Sequence, residues 1–343
     1  MRIVLDAMGS DDHPDPEIQA ALQAARDFGD ELYLVGDEKL IRPQLDAAGN
    51  AADKIILVHA PEVITMEDKG LKLALMAKRP SARNSIAVGI DLVKDGSADA
   101  FVTAGNTGGV LATAYYRLGT IPGVERPALT GLFPVKGGYC AVLDIGANPD
   151  CKPEHLYQFA IMGATYVEKV REIANPRVGL ISNGEEAGKG NQLVKDTYPL
   201  LENSGLNFIG NLEGKELFGG MADVAVTDGF TGNVLLKSSE SVASLITEML
   251  RQELTASWRT KIGALLAKPA FGRIRQLLDP GEVGAAPLLG IDGLVFVGHG
   301  KSDARALLNG IRVARQAVST DLLRALRQSI QERLAIEPVK ELA

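Results

Sequence analysis

The chain alternates between short apolar runs and longer stretches in which apolar residues recur every three to four positions. The runs at 3–5, 32–35, 55–58, 100–102, 141–143, 178–181, 208–209, 224–226 and 294–297 are rich in Val, Ile, Leu, Phe and Ala. Their length and composition predict buried strands. Between most of them, the segments 16–28, 85–94, 110–118, 154–172, 191–201 and 231–254 carry the helical period. Apolar strands separated by helices predict an α/β fold, a mostly parallel sheet with helices on both faces. Right-handed crossovers would then bring all the strand C-terminal ends to one edge, where such sheets bind ligands.

The stretch 254–280 breaks the alternation, because it holds no strand. Leu254, Trp258, Ile262, Leu265 and Leu266 recur at helical spacing, followed by Phe271, Ile274, Leu277 and Leu278, and Pro269 is expected to divide the two groups. The polar side carries Arg259, Lys261, Lys268, Arg273 and Arg275, with Asp279 the one acid before Pro280. A basic amphipathic surface of this kind fits an anionic membrane, an acidic carrier protein or a partner subunit. A length of 343 residues fits one large domain or two intimate ones. We expect one α/β catalytic domain over 1–335, with 254–280 protruding from it and 336–343 a frayed tail.

The six polar loops at 6–13, 103–109, 144–152, 183–186, 228–233 and 299–303 each follow a predicted strand. In the loop 103–109, Gly105 and Gly108 let backbone approach a ligand, and Thr103, Asn106 and Thr107 add uncharged donors before a helix. That pattern fits a small oxyanion such as phosphate. A plain helix N-cap in a tight turn explains it equally well. Lys78, Arg79 and Arg83, with Ser81 and Ser85, form a second anion-handling candidate or a solvated surface loop. Asp144, Asn148 and Lys152 offer acid–base or orienting groups. Cys151 beside Lys152, with His155 one turn on, reads either as an activated thiol or as an inert one. Lys189 among acids, and Asn233 at the end of 228–233, complete the candidates.

Composition acts mainly by exclusion. A formal net charge of -7 argues against wholesale nucleic-acid binding. The two cysteines, Cys140 and Cys151, cannot build a disulfide framework or a four-cysteine zinc site, and the four histidines are scattered. A structural zinc is therefore not expected. No G-x-G-x-x-G follows a strand, and the P-loop-like end at 298–302 has Val295 where that motif requires glycine. The N-terminus lacks the basic and long apolar regions of a signal peptide, and no uninterrupted apolar window approaches about 18 residues. A cytoplasmic location is expected.

Taken in order, the segments LDAMGSD (5–11), VTAGNTGG (102–109), LDIGANPDCKPEH (143–155), EEAGKGN (185–191), NFIGNLEG (207–214), VTDGFTGNVLLK (226–237), APLLGIDG (286–293) and HGKSDA (299–304) resemble the PlsX family of phosphate acyltransferases. The resemblance runs from Ile3 to about Arg315. It implies a fold similar to phosphotransacetylases and to isocitrate and isopropylmalate dehydrogenases. It also implies transfer of an acyl group from acyl carrier protein to inorganic phosphate, for bacterial phospholipid synthesis. That chemistry needs no metal or redox cofactor. A homodimer in peripheral contact with membrane, and with a downstream membrane acyltransferase, is expected. A phosphotransacetylase using acyl-CoA is the alternative, and a non-catalytic membrane scaffold a more distant one. The chain departs from the family pattern around Ser10, Asp12 and Asn183 but keeps Asn106, Thr107, Asp144, Lys152 and Lys189. On this reading 103–109 and Lys78, Arg79 and Arg83 hold phosphate. Asn148 and Lys152 stabilise the oxyanion, Asp144 orients Lys152, and Lys189 and Asn233 bind substrate.

Overall fold

The computed structural model describes residues 1–79 and 81–334, without the side chains of 275–278 and 280. The expected tail at 336–343 and the side chain of Arg275 lie outside the described residues. The strands are β1 (Arg2–Asp6), β2 (Glu31–Gly36), β3 (Ile55–His59), β4 (Ala100–Thr103), β5 (Ala128–Val135), β6 (Gly138–Leu143), β7 (Arg177–Ile181), β8 (Asn207–Leu212), β9 (Val224–Val226), β10 (Ala286–Leu289) and β11 (Val295–Val297). They form one sheet in the order β3-β2-β1-β4-β11-β10-β5-β6-β9-β7-β8.

Thirteen α-helices are described: α1 (Asp15–Phe28), α2 (Glu38–Ala48), α3 (Leu71–Lys78), α4 (Ser85–Lys94), α5 (Thr107–Arg117), α6 (Pro153–Val170), α7 (Gln192–Glu202), α8 (Gly214–Phe218), α9 (Gly229–Thr255), α10 (Trp258–Leu278), α11 (Pro280–Val283), α12 (Ala304–Ser319) and α13 (Leu322–Arg333). Successive strand residues enter opposite cores. Ile3, Leu5, Ala100 and Val102 join one buried cluster with residues of α1, α6, α12 and α13. Val4 and Phe101 join another with residues of α4 and α5. Covering both faces is why the strands read as unbroken apolar runs. The fold is therefore the expected α/β/α sandwich.

One expectation fails. β10 pairs antiparallel with both β11 and β5, and β5 pairs antiparallel with β6. The strands β6, β9, β7 and β8 are parallel to one another and so run opposite to β1–β4 and β11. The strand C-terminal ends therefore divide between two edges instead of meeting at one.

The helical pair is also longer than expected. α9 leaves the sheet at β5 and β6, and α10 packs back along it. Pro269 does not divide α10, which is continuous from Trp258 to Leu278. Val242, Leu245, Ile246 and Met249 on α9, with Trp258, Ile262, Leu265 and Leu266 on α10, are all more than half exposed. Among the described residues, no helix is long and apolar enough to cross a membrane.

Candidate active site

The six polar loops fall into two groups. The first lies at the ends of β1, β4 and β11. There the Thr103 hydroxyl donates to Asp6 Oδ2 (2.7 Å) and accepts from the Gly105 N–H (2.8 Å). The Asp11 N–H donates to the Gly300 carbonyl and the Gly298 N–H to that of Thr103 (each 2.7 Å), tying the three loops together. A Cβ at Gly9 would come within 2.7 Å of the Gly105 nitrogen, so only glycine permits this approach. Asn106 caps α5 by accepting from the Gly109 N–H (3.0 Å), and its Nδ2 donates to the Thr65 and Asp68 carbonyls (2.9 and 3.0 Å). The Thr103 and Asn106 side chains are thus spent inside the protein, which leaves exposed Thr107 and Gly108 as the open part of the loop.

Two buried acids sit beneath this edge. Burial pushes the Asp6 carboxyl above its ordinary value, opposed by the Thr103 and Ser85 hydroxyls. Burial does the same to Glu17, whose Oε1 accepts from the Ser10 N–H (2.9 Å). Neither acid stood out in the sequence as a site residue. The available signal was an acid ending an apolar strand at Asp6 and one inside the first turn of α1 at Glu17.

Lys78 and Arg79 are not brought to this loop. The Lys78 ammonium stands 4.8 Å from the Tyr116 ring centroid, near the far end of α5. At a rise of about 1.5 Å per residue that is roughly 13 Å from Thr107. Arg83 is exposed but nearer, two residues before Ser85.

The second group lies at the ends of β6, β9 and β7. β4 and β6 are four strand positions apart, roughly 19 Å at about 4.8 Å per spacing, and their C-terminal ends face opposite edges. Asp144 is fully buried. Its Oδ1 accepts from the N–H groups of Leu129, Gly146 and Ala147 (3.1, 3.1 and 3.0 Å). Its Oδ2 accepts from the Asn148 N–H (2.6 Å) and Nδ2 (2.9 Å). Burial pushes this carboxyl up, and the donors of Gly146, Ala147 and Asn148 work against the shift. Asn148 Nδ2 also donates to the Pro127 carbonyl (2.7 Å). Asp144 therefore shapes the loop and does not orient Lys152, and the Asn148 amide is not free for an oxyanion.

The start of α9 closes against this loop. The Gly229 N–H donates to the Asn148 carbonyl (2.8 Å). A Cβ at Gly232 would overlap the Asp144 carbonyl oxygen, so the two chains touch backbone to backbone. Asp228 caps α9 by accepting from the Thr231 N–H and hydroxyl (each 2.8 Å). Asn233 then stands against Gly146, with its amide carbon 3.7 Å from an ideal Cβ built there. Lys152 caps α6, and its exposed ammonium has no acid partner among the described residues. Exposed Lys189 lies two strands away on the same edge, its methylenes against Gly184. Lys152, Lys189 and Asn233 are thus the candidates that the fold leaves uncommitted on one edge.

His155 and Cys151 have structural roles. His155 Nδ1 accepts from the Lys152 N–H (3.1 Å), so its Nε2–H donates to Glu125 (3.0 Å). Burial, the nearby Asp144 charge and Asp228 push the Cys151 thiol up to about 12. A thiol held that high is protonated at neutral pH, which argues against an activated thiolate. Glu185, Glu213 and Glu216 come together on the same edge, with Lys215 3.3 Å from Glu216.

The family described as "Fatty acid synthesis protein" matches residues 1–325. A phosphate acyltransferase of Pelotomaculum thermopropionicum is 45% identical over 331 residues, covering 96% of this chain and 95% of the relative. One from Elusimicrobium minutum is 46% identical over 333 residues, covering 97% and 96%. In fold, the chain is similar to a phosphotransacetylase of Streptococcus pyogenes, with a TM-score of 0.60, 17% identity, and 96% and 94% of the two chains covered. With near-full-length identity at this level, the chain belongs to the phosphate acyltransferase family and is an acyltransferase enzyme.

Proposed function

We propose that this enzyme transfers a long-chain acyl group from the thioester of acyl carrier protein to inorganic phosphate, supplying acyl phosphate for bacterial phospholipid (phosphatidic acid) synthesis. The reaction is direct displacement. A phosphate oxygen attacks the thioester carbonyl, the new C–O bond forms, the C–S bond breaks, and the carrier thiolate leaves with the proton given up by phosphate. The observation that carries this reading is the edge of β6, β9 and β7. Two lysines and an amide are left uncommitted there, around a loop that Asp144 and Gly232 hold rigidly. Lys189 and Lys152 attract the anion. Asn233 and Lys152 stabilise the charge that develops on the carbonyl oxygen, where preorganised donors matter most. The thiol of Cys151 stays protonated, which favours attack by phosphate itself over an acyl-enzyme.

The partners follow from the α9–α10 hairpin. Arg259, Lys261, Lys268 and Arg273 are exposed on α10, beside exposed Leu265 and Leu266. In a chain of net charge -7, they form a local positive surface suited to an acidic carrier and to anionic lipid headgroups. The apolar stripe of α9 fits a second copy of the chain, giving a homodimer in peripheral membrane contact. The test compares acyl carrier protein with acyl-CoA of equal chain length at fixed phosphate. The reading expects a kcat/KM at least about tenfold higher for the carrier. Equal values would favour a coenzyme A enzyme.

A further inference from the structure

The two cations that the fold withholds from the 103–109 loop belong to a different pocket. Lys78, Arg79, Lys94 and Arg117 line a surface pocket of about 390 Å³, with Asp91 the one acid and Tyr116 the one aromatic group. Three helices end here, with Lys78, Lys94 and Arg117 in the last turns of α3, α4 and α5. The Arg117 guanidinium is held in place, paired with Asp91 and donating through Nη2 to the Arg79 carbonyl (3.0 Å). Its buried Nε finds no acceptor among the described residues. Lys78 rests over the Tyr116 ring, which fixes the ammonium at the rim.

We infer that this pocket binds a phosphate monoester. Four cations face one carboxylate and three helix C-terminal ends worth about half a negative charge each, so one to two positive charges, roughly, remain uncompensated. A monoester carries about that charge in the opposite sense near neutral pH. Arg117, fixed by Asp91 and the Arg79 carbonyl, contributes positive charge at the pocket wall, and Lys94 and Arg79 add mobile charge that can close on phosphate oxygens. A pocket of this volume suits a small organic molecule, whereas a bare ion would leave it mostly empty. The exposed ring of Tyr116 provides the surface for the organic part. The site is independent of the proposed reaction centre, since it lies on α3, α4 and α5 and not at the edge of β6 and β9.

The experiment is calorimetric titration of the full chain with phenyl phosphate and, separately, with inorganic phosphate, in buffer free of other polyvalent anions. One phenyl phosphate per chain should bind, at least about tenfold more tightly than inorganic phosphate. Lys94→Glu, an exposed change, should weaken it at least about tenfold. Arg117→Lys, which keeps the charge but loses the bonds that hold it between Asp91 and the Arg79 carbonyl, should weaken it severalfold. Lys152→Ala should leave it unchanged. The inference is overturned if Lys94→Glu binds like the wild type, if Lys152→Ala abolishes binding of the ester, or if inorganic phosphate binds Lys152→Ala as tightly as the ester does.

Discussion

Replacing Asp144 with asparagine tests whether its carboxylate holds the loop that shapes the site. The side chain accepts five hydrogen bonds, three at Oδ1 and two at Oδ2, four of them from backbone N–H groups. Asparagine keeps one acceptor oxygen. Turned toward the three donors of Leu129, Gly146 and Ala147, it faces its own NH2 against the two donors of Asn148. Two lost bonds to a charged acceptor cost about 1.5–3 kcal/mol each. Relief of the buried charge, whose carboxyl burial has already pushed up, offsets part of that, so a net loss of about 3 kcal/mol is expected. With about 2.1 cal/mol/K per residue, the unfolding entropy of this chain is roughly 0.7 kcal/mol/K, and the loss lowers Tm by about 4 °C. Calorimetry of the variant beside the wild type reads this directly. A Tm within about 1 °C of wild type would refute the view that Asp144 organises the loop.

Four further outcomes are expected. Cys151→Ala should retain most turnover in a phosphate-dependent thiol-release assay, because burial and nearby acids push the thiol up to about 12 and so disfavour the thiolate at neutral pH. Near-complete loss in a folded variant would indicate an acyl-cysteine route. Glu17→Gln should gain stability relative to wild type as pH rises. The wild-type carboxyl binds its proton more tightly when folded than unfolded, so its contribution is lost as pH climbs from the ordinary carboxylate range through the raised folded value. Denaturant midpoints of both proteins at pH 4, 6 and 8 would show the difference, and a flat difference would contradict it. Leu265→Glu with Leu266→Glu should abolish flotation with anionic vesicles, whereas Leu245→Glu with Met249→Glu should convert a dimer to monomer in light scattering. Retained flotation would remove α10 from the membrane surface, and a retained dimer would remove α9 from the subunit interface.

Much of the fold was legible because the parallel strands are buried on both faces and so stand out as apolar runs. The two strands that reverse the sheet were not. β5 contains Gly131 and Pro134, and β10 is four residues long with Pro287 inside it. Both residues weaken a strand signal, so these segments passed as loops. Without these two strands the apolar pattern predicts no antiparallel pairing and puts the polar loops on one edge, whereas they occupy two. At the site, Asp144, Asn148 and Asn106 were legible as residues but not in role. Their partners are distant in sequence: Pro127 and Leu129 for the Asp144 loop, and Thr65 and Asp68 for Asn106. Residue type shows that an amide can donate, but only the fold shows that its donors are already in use. Lys152, Lys189 and Asn233 are the opposite case, since nothing described engages their side-chain nitrogens.

The most direct test of the central claim is a single-turnover reaction of the purified enzyme with acyl carrier protein thioester, following carrier thiol and hydroxylamine-trapped acyl phosphate together. Both should appear in equal amounts, only when phosphate is present, and Lys152→Ala and Asn233→Ala should each slow them in parallel. Thiol release without phosphate, or an acyl group retained on the protein, would contradict it.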